Sequence, residues 1–208
     1  MARAKSKAAK KSTARTARRA APRAARKAAR GTRRSEPGKN AIALLKADHR
    51  LVEDWFAQYE KTRSHDRKRA IAERICNALR VHTQIEEEIF YPAFIAATRD
   101  EDLHHEALIE HDGAKKLIAE IESTSPDDDF YDARVKVLSE MIKHHVKEEE
   151  QPGGMFAKAR DSEMDLATLG LQLAERKAEL ESSPEAMKAL TRAVDAGKGF
   201  ITRLTAKV

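Results

Sequence analysis

From residue 42 onward, apolar side chains recur at spacings of three and four, the pattern of helices that bury one face. The first stripe runs Ile42, Leu45, His49, Val52, Phe56 and Tyr59, behind Asn40 as its N-cap. A second, beginning near Asp66, runs Ile71, Ile75, Ala78, His82, Glu86 and Ile89 until Pro92, where the ring breaks or kinks the helix. A third, starting near Asp100, carries His104, Ala107, His111, Ala114, Ile118 and Ile121. The run "STSPDDD" then offers Ser125 as a cap, Pro126 at the first helical position and acids in the first turn, so a helix is expected to start there. This fourth stripe reads Tyr131, Val135, Leu138, Ile142, His145 and Glu149, and "QPGG" from Gln151 to Gly154 ends it. Asp165 to Glu181 reads as a fifth helix and "SSPEAMKALTRAVDAGKGF" as a short sixth. Few segments alternate as strands do, and the expected fold is all-α. The connections between the four long helices are short, which makes sequential helices antiparallel neighbours in an up-down-up-down four-helix bundle.

The polar members of these stripes carry the chemistry. From His49 to His82 is 33 residues and from His111 to His145 is 34, so each half supplies a lone histidine on one helix and His-x-x-x-Glu on the next. Residues four apart on a helix are about 5–6 Å apart at Cβ, close enough for one His and one Glu to reach a common centre. Folding brings six candidate ligands together: His49, His82, Glu86, His111, His145 and Glu149. Six such groups buried without a metal would leave costly unpaired polar atoms. Neutral imidazole suits a soft or borderline divalent ion, and carboxylates neutralise its charge and bridge two ions. The set is richer than the four ligands that satisfy a zinc ion, and richer in imidazole than magnesium or calcium sites require. Two iron ions are the leading candidates, with manganese or zinc behind.

Neighbouring residues fall outside this set. His144 and Glu148 share the spacing of His145 and Glu149, but the His144 face leads back to Arg134, which places His144 outside the ligands or in solvent. His104 stands two turns from His111, too far to share a metal but able to line an entrance; His105 and His65 read as surface. Glu87, Glu88, Glu148 and Glu150 read as a solvated face, and Trp55, Phe90, Tyr91 and Phe156 as core packing.

Charge divides the chain. Residues 1–34 hold 14 Lys or Arg and no Asp or Glu, while all 208 residues sum to +6, so the remainder carries −8, the difference between +6 and +14. The tail "MARAKSKAAKKSTARTARRAAPRAARKAARGTRR" has alanine as its only repeated apolar residue, too little burial to offset ordering entropy, and disorder is expected. Its texture resembles linker-histone tails, which neutralise phosphates without reading sequence, so nonspecific DNA or RNA contact through residues 1–34 is expected. Cys76 is the single cysteine, which excludes an intrachain disulfide. No apolar run approaches the ~18 residues that span a bilayer and no secretory leader is seen, so a cytoplasmic, nucleoid-associated protein without membrane contact is expected.

The segments "LLKADHRLVEDWF", "HTQIEEEIFYP", "EHDGAKKLIAEI" and "HHVKEEEQPGGMF" resemble the hemerythrin-like, HHE cation-binding domain over about residues 40–160. The resemblance implies a non-haem di-iron centre inside the bundle, with the six residues above as ligands. Oxygen-carrying members have a second histidine four residues after the one on the third helix, where this chain has Lys115. A more anionic set is expected to favour oxidised iron, and with it redox or peroxide chemistry. The expected organisation is a basic tail and linker over 1–39, a metal-binding bundle over 40–160 and a helical extension over 161–208. The expected function is to bind, sense or turn over O2, NO or H2O2. The alternative is a nucleic-acid-associated interaction protein whose bundle metal is structural or protective. No enzyme motif independent of the metal is found.

Overall fold

The structure, a computed structural model, describes residues 40–183. In chain order the helices are α1 (Ala41–Lys61), α2 (His65–Ile85), a π-helical turn (Glu86–Phe90), α3 (Tyr91–Thr98), α4 (Glu101–Glu122), α5 (Tyr131–Glu150), α6 (Met155–Asp161) and α7 (Leu166–Ser182). No strand occurs among the described residues. The all-α, up-down-up-down bundle is as expected: α1 packs on α2, α2 on α4, α4 on α5 and α5 on α1, closing a square. The tail and the sixth predicted helix lie outside the described residues.

Local chemistry sets three of the helix starts. Asn40 accepts a hydrogen bond from the Ala43 amide at 2.8 Å, Asp100 from Leu103 at 3.3 Å and Asp165 from Thr168 at 3.1 Å, each satisfying one orphan amide of a first turn. Ser125 and Pro126 do not start α5, contrary to expectation. The Ser125 carbonyl instead accepts from the Asp128 amide at 2.9 Å, and the Asp128 carboxylate accepts from the Phe130 amide at 2.9 Å and from Arg134 at 2.7 Å. Short acidic side chains that bond nearby backbone compete with helix formation, so the acid-rich run forms turns and α5 begins at Tyr131.

Pro92 does not end the second helix; it widens it. Proline offers no N–H and its ring crowds the carbonyl four residues back. The π turn absorbs the misfit, with the Tyr91 amide donating to the Glu86 carbonyl five residues earlier. The rod then continues as α3 to Arg99, a left-handed residue (φ 60°) that turns the chain into α4.

Two apolar clusters fill the interior. One gathers Leu45, Ile85, Phe90, Phe94, Leu108 and Phe156; the other gathers Val52, Phe56, Leu79, Ile118, Leu138 and Ile142. The polar stripe positions lie at their junction: His49 between Leu45 and Val52, His82 between Leu79 and Ile85, His111 between Leu108 and Ala114. α7 rests on α1 and α2, where Leu173 and Leu180 join the first cluster. Gly170 permits the approach, since a Cβ there would stand 2.7–2.8 Å from backbone atoms of Asn40 and Ala41.

Candidate metal centre

Each long helix contributes to one buried polar centre. His49 comes from α1, His82 from α2, Glu86 from the π turn, His111 from α4, and His145 and Glu149 from α5; all six are at most 5% exposed. The structure thus brings all six sequence-derived candidates together. The Nε2 atoms of His49 and His82 are 3.1 Å apart, and those of His111 and His145 are 3.2 Å apart. Glu86 Oε2 lies 3.2 Å from His82 Nε2 and 3.4 Å from His111 Nε2, so it touches one imidazole of each pair. Glu149 does the same on the other side, at 3.3 Å from His49 Nε2 and 3.7 Å from His145 Nε2. Donor atoms of His49, His82 and Glu86 form one group within 4.8 Å of one another, and those of Glu86, His111 and His145 form a second.

A ring of acids orients the imidazoles from outside. Nδ1 of His49 lies 2.8 Å from Glu150, Nδ1 of His111 2.9 Å from Glu87, and Nδ1 of His145 2.7 Å from Glu110, while Nδ1 of His82 is 3.6 Å from Asp48. The pattern obeys the internal repeat. The acid following each inner glutamate meets the lone histidine of the other helix pair, and the acid preceding each lone histidine meets the histidine of His-x-x-x-Glu in its own pair. A carboxylate at Nδ1 holds the ring proton there and leaves the Nε2 lone pair facing inward. Between His111 and His145, both held in this way, the close Nε2 atoms therefore set lone pair against lone pair, which is repulsive unless a cation stands between them.

The buried carboxylates lead to the same conclusion. Both Glu86 oxygens and Glu149 Oε2 are buried with no hydrogen-bond partner among the described residues, as is His82 Nδ1. Burial, then the Glu149 charge, pushes the Glu86 carboxyl well above its usual range. Burial, then the neighbouring His145, pushes His111 well below the usual imidazole range. Imidazoles braced by outer carboxylates, together with inner carboxylates that cannot be solvated, form the donor set of an intermediate or hard transition-metal ion, and the residues present fit a pair of such cations.

Several residues differ from the sequence expectation. Glu87 and Glu150 are not a solvated face: Glu87 is 7% exposed and paired with His111 and, at 2.5 Å, with Lys115, while Glu150 binds His49, Lys46 and Arg50. Burial raises the Glu150 pKa, but His49 and Lys46 outweigh it and bring it to about 2. Tyr91 does more than pack, since its hydroxyl lies 3.2 Å from His111 Nε2 and 3.4 Å from Glu149 Oε1. Asp48 and Glu110, outside the sequence-derived set, also belong to the centre, and each immediately precedes a stripe histidine. His144 is 59% exposed and touches Glu110 at 3.3 Å, and the His104 ring lies 5.8 Å from that of Tyr91. His65 and His105 are exposed as expected.

A four-helix bundle with a buried His/Glu centre braced by outer carboxylates defines a cation-binding class of protein. The chain belongs to the hemerythrin HHE cation binding domain family, whose model matches residues 40–152. Its fold is similar to the crystal structure of a hemerythrin HHE cation binding domain-containing protein from Mycobacterium kansasii, at a TM-score of 0.61 and 20% identity, covering 74% of this chain and 98% of that one. It is also similar to a DNA nickase of Nostoc sp., 25% identical over 123 residues, or 59% of this chain and 34% of that protein. The chain therefore spans about a third of that relative's length. Among the described residues, no helix is long and apolar enough to cross a membrane.

Proposed function

We propose that His49, His82, Glu86, His111, His145 and Glu149 hold two non-haem metal ions, iron first and manganese or zinc behind, and that O2, NO or H2O2 is bound, sensed or turned over there. The carrying observation is the inward convergence of the two Nε2 pairs on Glu86, with a carboxylate behind each ring. When bound, such an iron pair supplies open coordination positions and one- or two-electron chemistry. The chain's own residues exclude water, orient the imidazoles and fix protons. Tyr91 keeps its proton, because burial and then Glu86 and Glu149 push its pKa well above the usual phenol range. Lys115 holds Glu87 against His111, where oxygen carriers would have a further ligand. The test is to mix the reduced, iron-loaded protein separately with O2, NO and H2O2 and follow the visible spectrum. A change that depends on bound iron is expected with at least one of them, and silence with all three would contradict the reading.

A second reading is favoured by the 14 Lys or Arg of residues 1–34 and by the likeness to a protein described as a DNA nickase. In it the chain is nucleoid-associated, the tail contacts DNA or RNA without sequence preference, and the bundle metal is structural or protective. Deleting residues 1–34 should then abolish salt-sensitive DNA binding and leave metal content unchanged. DNA affinity that survives the deletion would remove the basis of this reading.

A further inference from the structure

Three of the four carboxylates behind the imidazoles are held by lysine or arginine, and one of those cations comes from outside the matched family segment. Glu150 is held by Lys46 and Arg50, Glu87 by Lys115 and Glu110 by His144, all on bundle helices. Asp48, the acid facing His82 Nδ1, is held by Lys177 of α7, and the family match ends at residue 152.

We infer that α7 is part of the metal centre: Lys177 pins Asp48 at the back of His82 and so positions that imidazole for metal. The inference rests on the reading of His82 as a ligand.

The geometry of α7 supports this role. Gly170 brings the helix backbone against Asn40 and Ala41, Leu173 and Leu180 are at most 1% exposed, and Arg176 bonds Glu88 at 2.7 Å. These contacts fix the register of α7 on both sides of Lys177. The Asp48 side chain is only 12% exposed, and acids crowd the centre: Glu86, Glu149 and Glu150 lie about the imidazoles that Asp48 and its neighbour His49 approach. A carboxylate so placed needs a cation. Without Lys177 nothing on α7 holds that carboxylate in its place 3.6 Å behind His82 Nδ1. Of the four imidazoles, His82 is the one whose Nδ1 stands farthest from its acid, at 3.6 Å and short of a hydrogen bond, so where Lys177 holds Asp48 sets that gap.

The test uses the full chain and Co(II) alone as the probe, followed by its visible absorption in competition with a chromophoric chelator. Lys177→Met should weaken Co(II) binding by about 10- to 100-fold, the usual cost of losing an outer partner of a ligating histidine. Lys177→Arg should restore most of it. Arg176→Met, which removes a half-exposed ion pair with Glu88 while Gly170, Leu173 and Leu180 keep the helix seated, should bind as wild type. In an Asp48→Asn background Lys177→Met should have no further effect, because the lysine acts through that carboxylate. Wild-type affinity in Lys177→Met, or an equal loss in Arg176→Met, would overturn the inference and leave the metal reading standing. A wild-type chain that binds no Co(II), Fe(II), Mn(II) or Zn(II) would overturn both.

Discussion

Single side chains at the junction of the two apolar clusters decide what this bundle can do. Replacing His49, His82, His111 and His145 by leucine would leave helical stripes interrupted only by Glu86 and Glu149. Their sequence spacing exposed them because a histidine on an apolar face is conspicuous at a period of 3.6. The acids behind them were harder to read. Asp48, Glu87, Glu110 and Glu150 each sit one residue off the stripe, where a charged side chain normally faces water, and only the convergence of helices buries them. Elsewhere, ordinary chemistry gives two predictions. Cys76 is 1% exposed and burial pushes its thiol up to about 12, so a thiol reagent at neutral pH should leave the native chain unmodified and react once denaturant is added. Rapid native labelling would show that α2 opens easily. Asp132 accepts a hydrogen bond from Tyr59 at 2.7 Å and pairs with Lys68; burial raises its pKa, but these partners outweigh it and hold it below the usual value. A folded-state pKa that is depressed contributes stability above the unfolded pKa, and that stability is lost as pH falls through the lower folded value. Asp132→Asn should therefore lower the unfolding free energy in urea at pH 7, by less than about 1 kcal/mol because the group is well exposed, and the difference should fade as pH falls below the ordinary carboxylate range. A difference unchanged at acid pH would show that the pair contributes nothing ionic.

Helices and turns make the next level. The four long rods and their antiparallel order were legible because each stripe is long and each connection short. The π turn was not legible. A 3.6-residue period places Glu86 and Phe90 on one line and leaves Tyr91 off it, whereas the extra residue in the turn sets Tyr91 over Glu86 and aims its hydroxyl at His111. Pro92 was read correctly as a disturbance, but the form it took depended on the surrounding packing. The start of α5 failed for the opposite reason: three acids that suit a helix N-terminus also suit turns, and their bonds to backbone and Arg134 decided for turns. Close approach of α7 to α1 gives an element-level prediction. Gly170→Ala would drive a Cβ into the backbone of Asn40 and Ala41 and should cost about 1–3 kcal/mol in denaturant unfolding. Gly113→Ala meets only the flexible end of Met141, while helix propensity gains up to about 1 kcal/mol, so its stability should match or exceed wild type. If Gly170→Ala were as stable as Gly113→Ala, α7 would not be seated as the structure shows.

At the scale of the molecule, a bundle that is acidic overall surrounds its centre with carboxylates and then with cations, a layered arrangement that bare protons satisfy poorly. Metal that binds the folded chain and not the unfolded one adds stability by mass action, so the loaded protein should unfold at higher temperature than the stripped one. The central claim is that two ions sit among four histidines and two glutamates. The most direct measurement is metal per chain by elemental analysis after anaerobic Fe(II) reconstitution and desalting, on wild type and on the double variant His82→Ala, His145→Ala, with both confirmed helical by circular dichroism. The account predicts about two irons per wild-type chain and loss of both in the variant. Wild-type protein with no iron above background, or a variant that keeps its two irons, would contradict it.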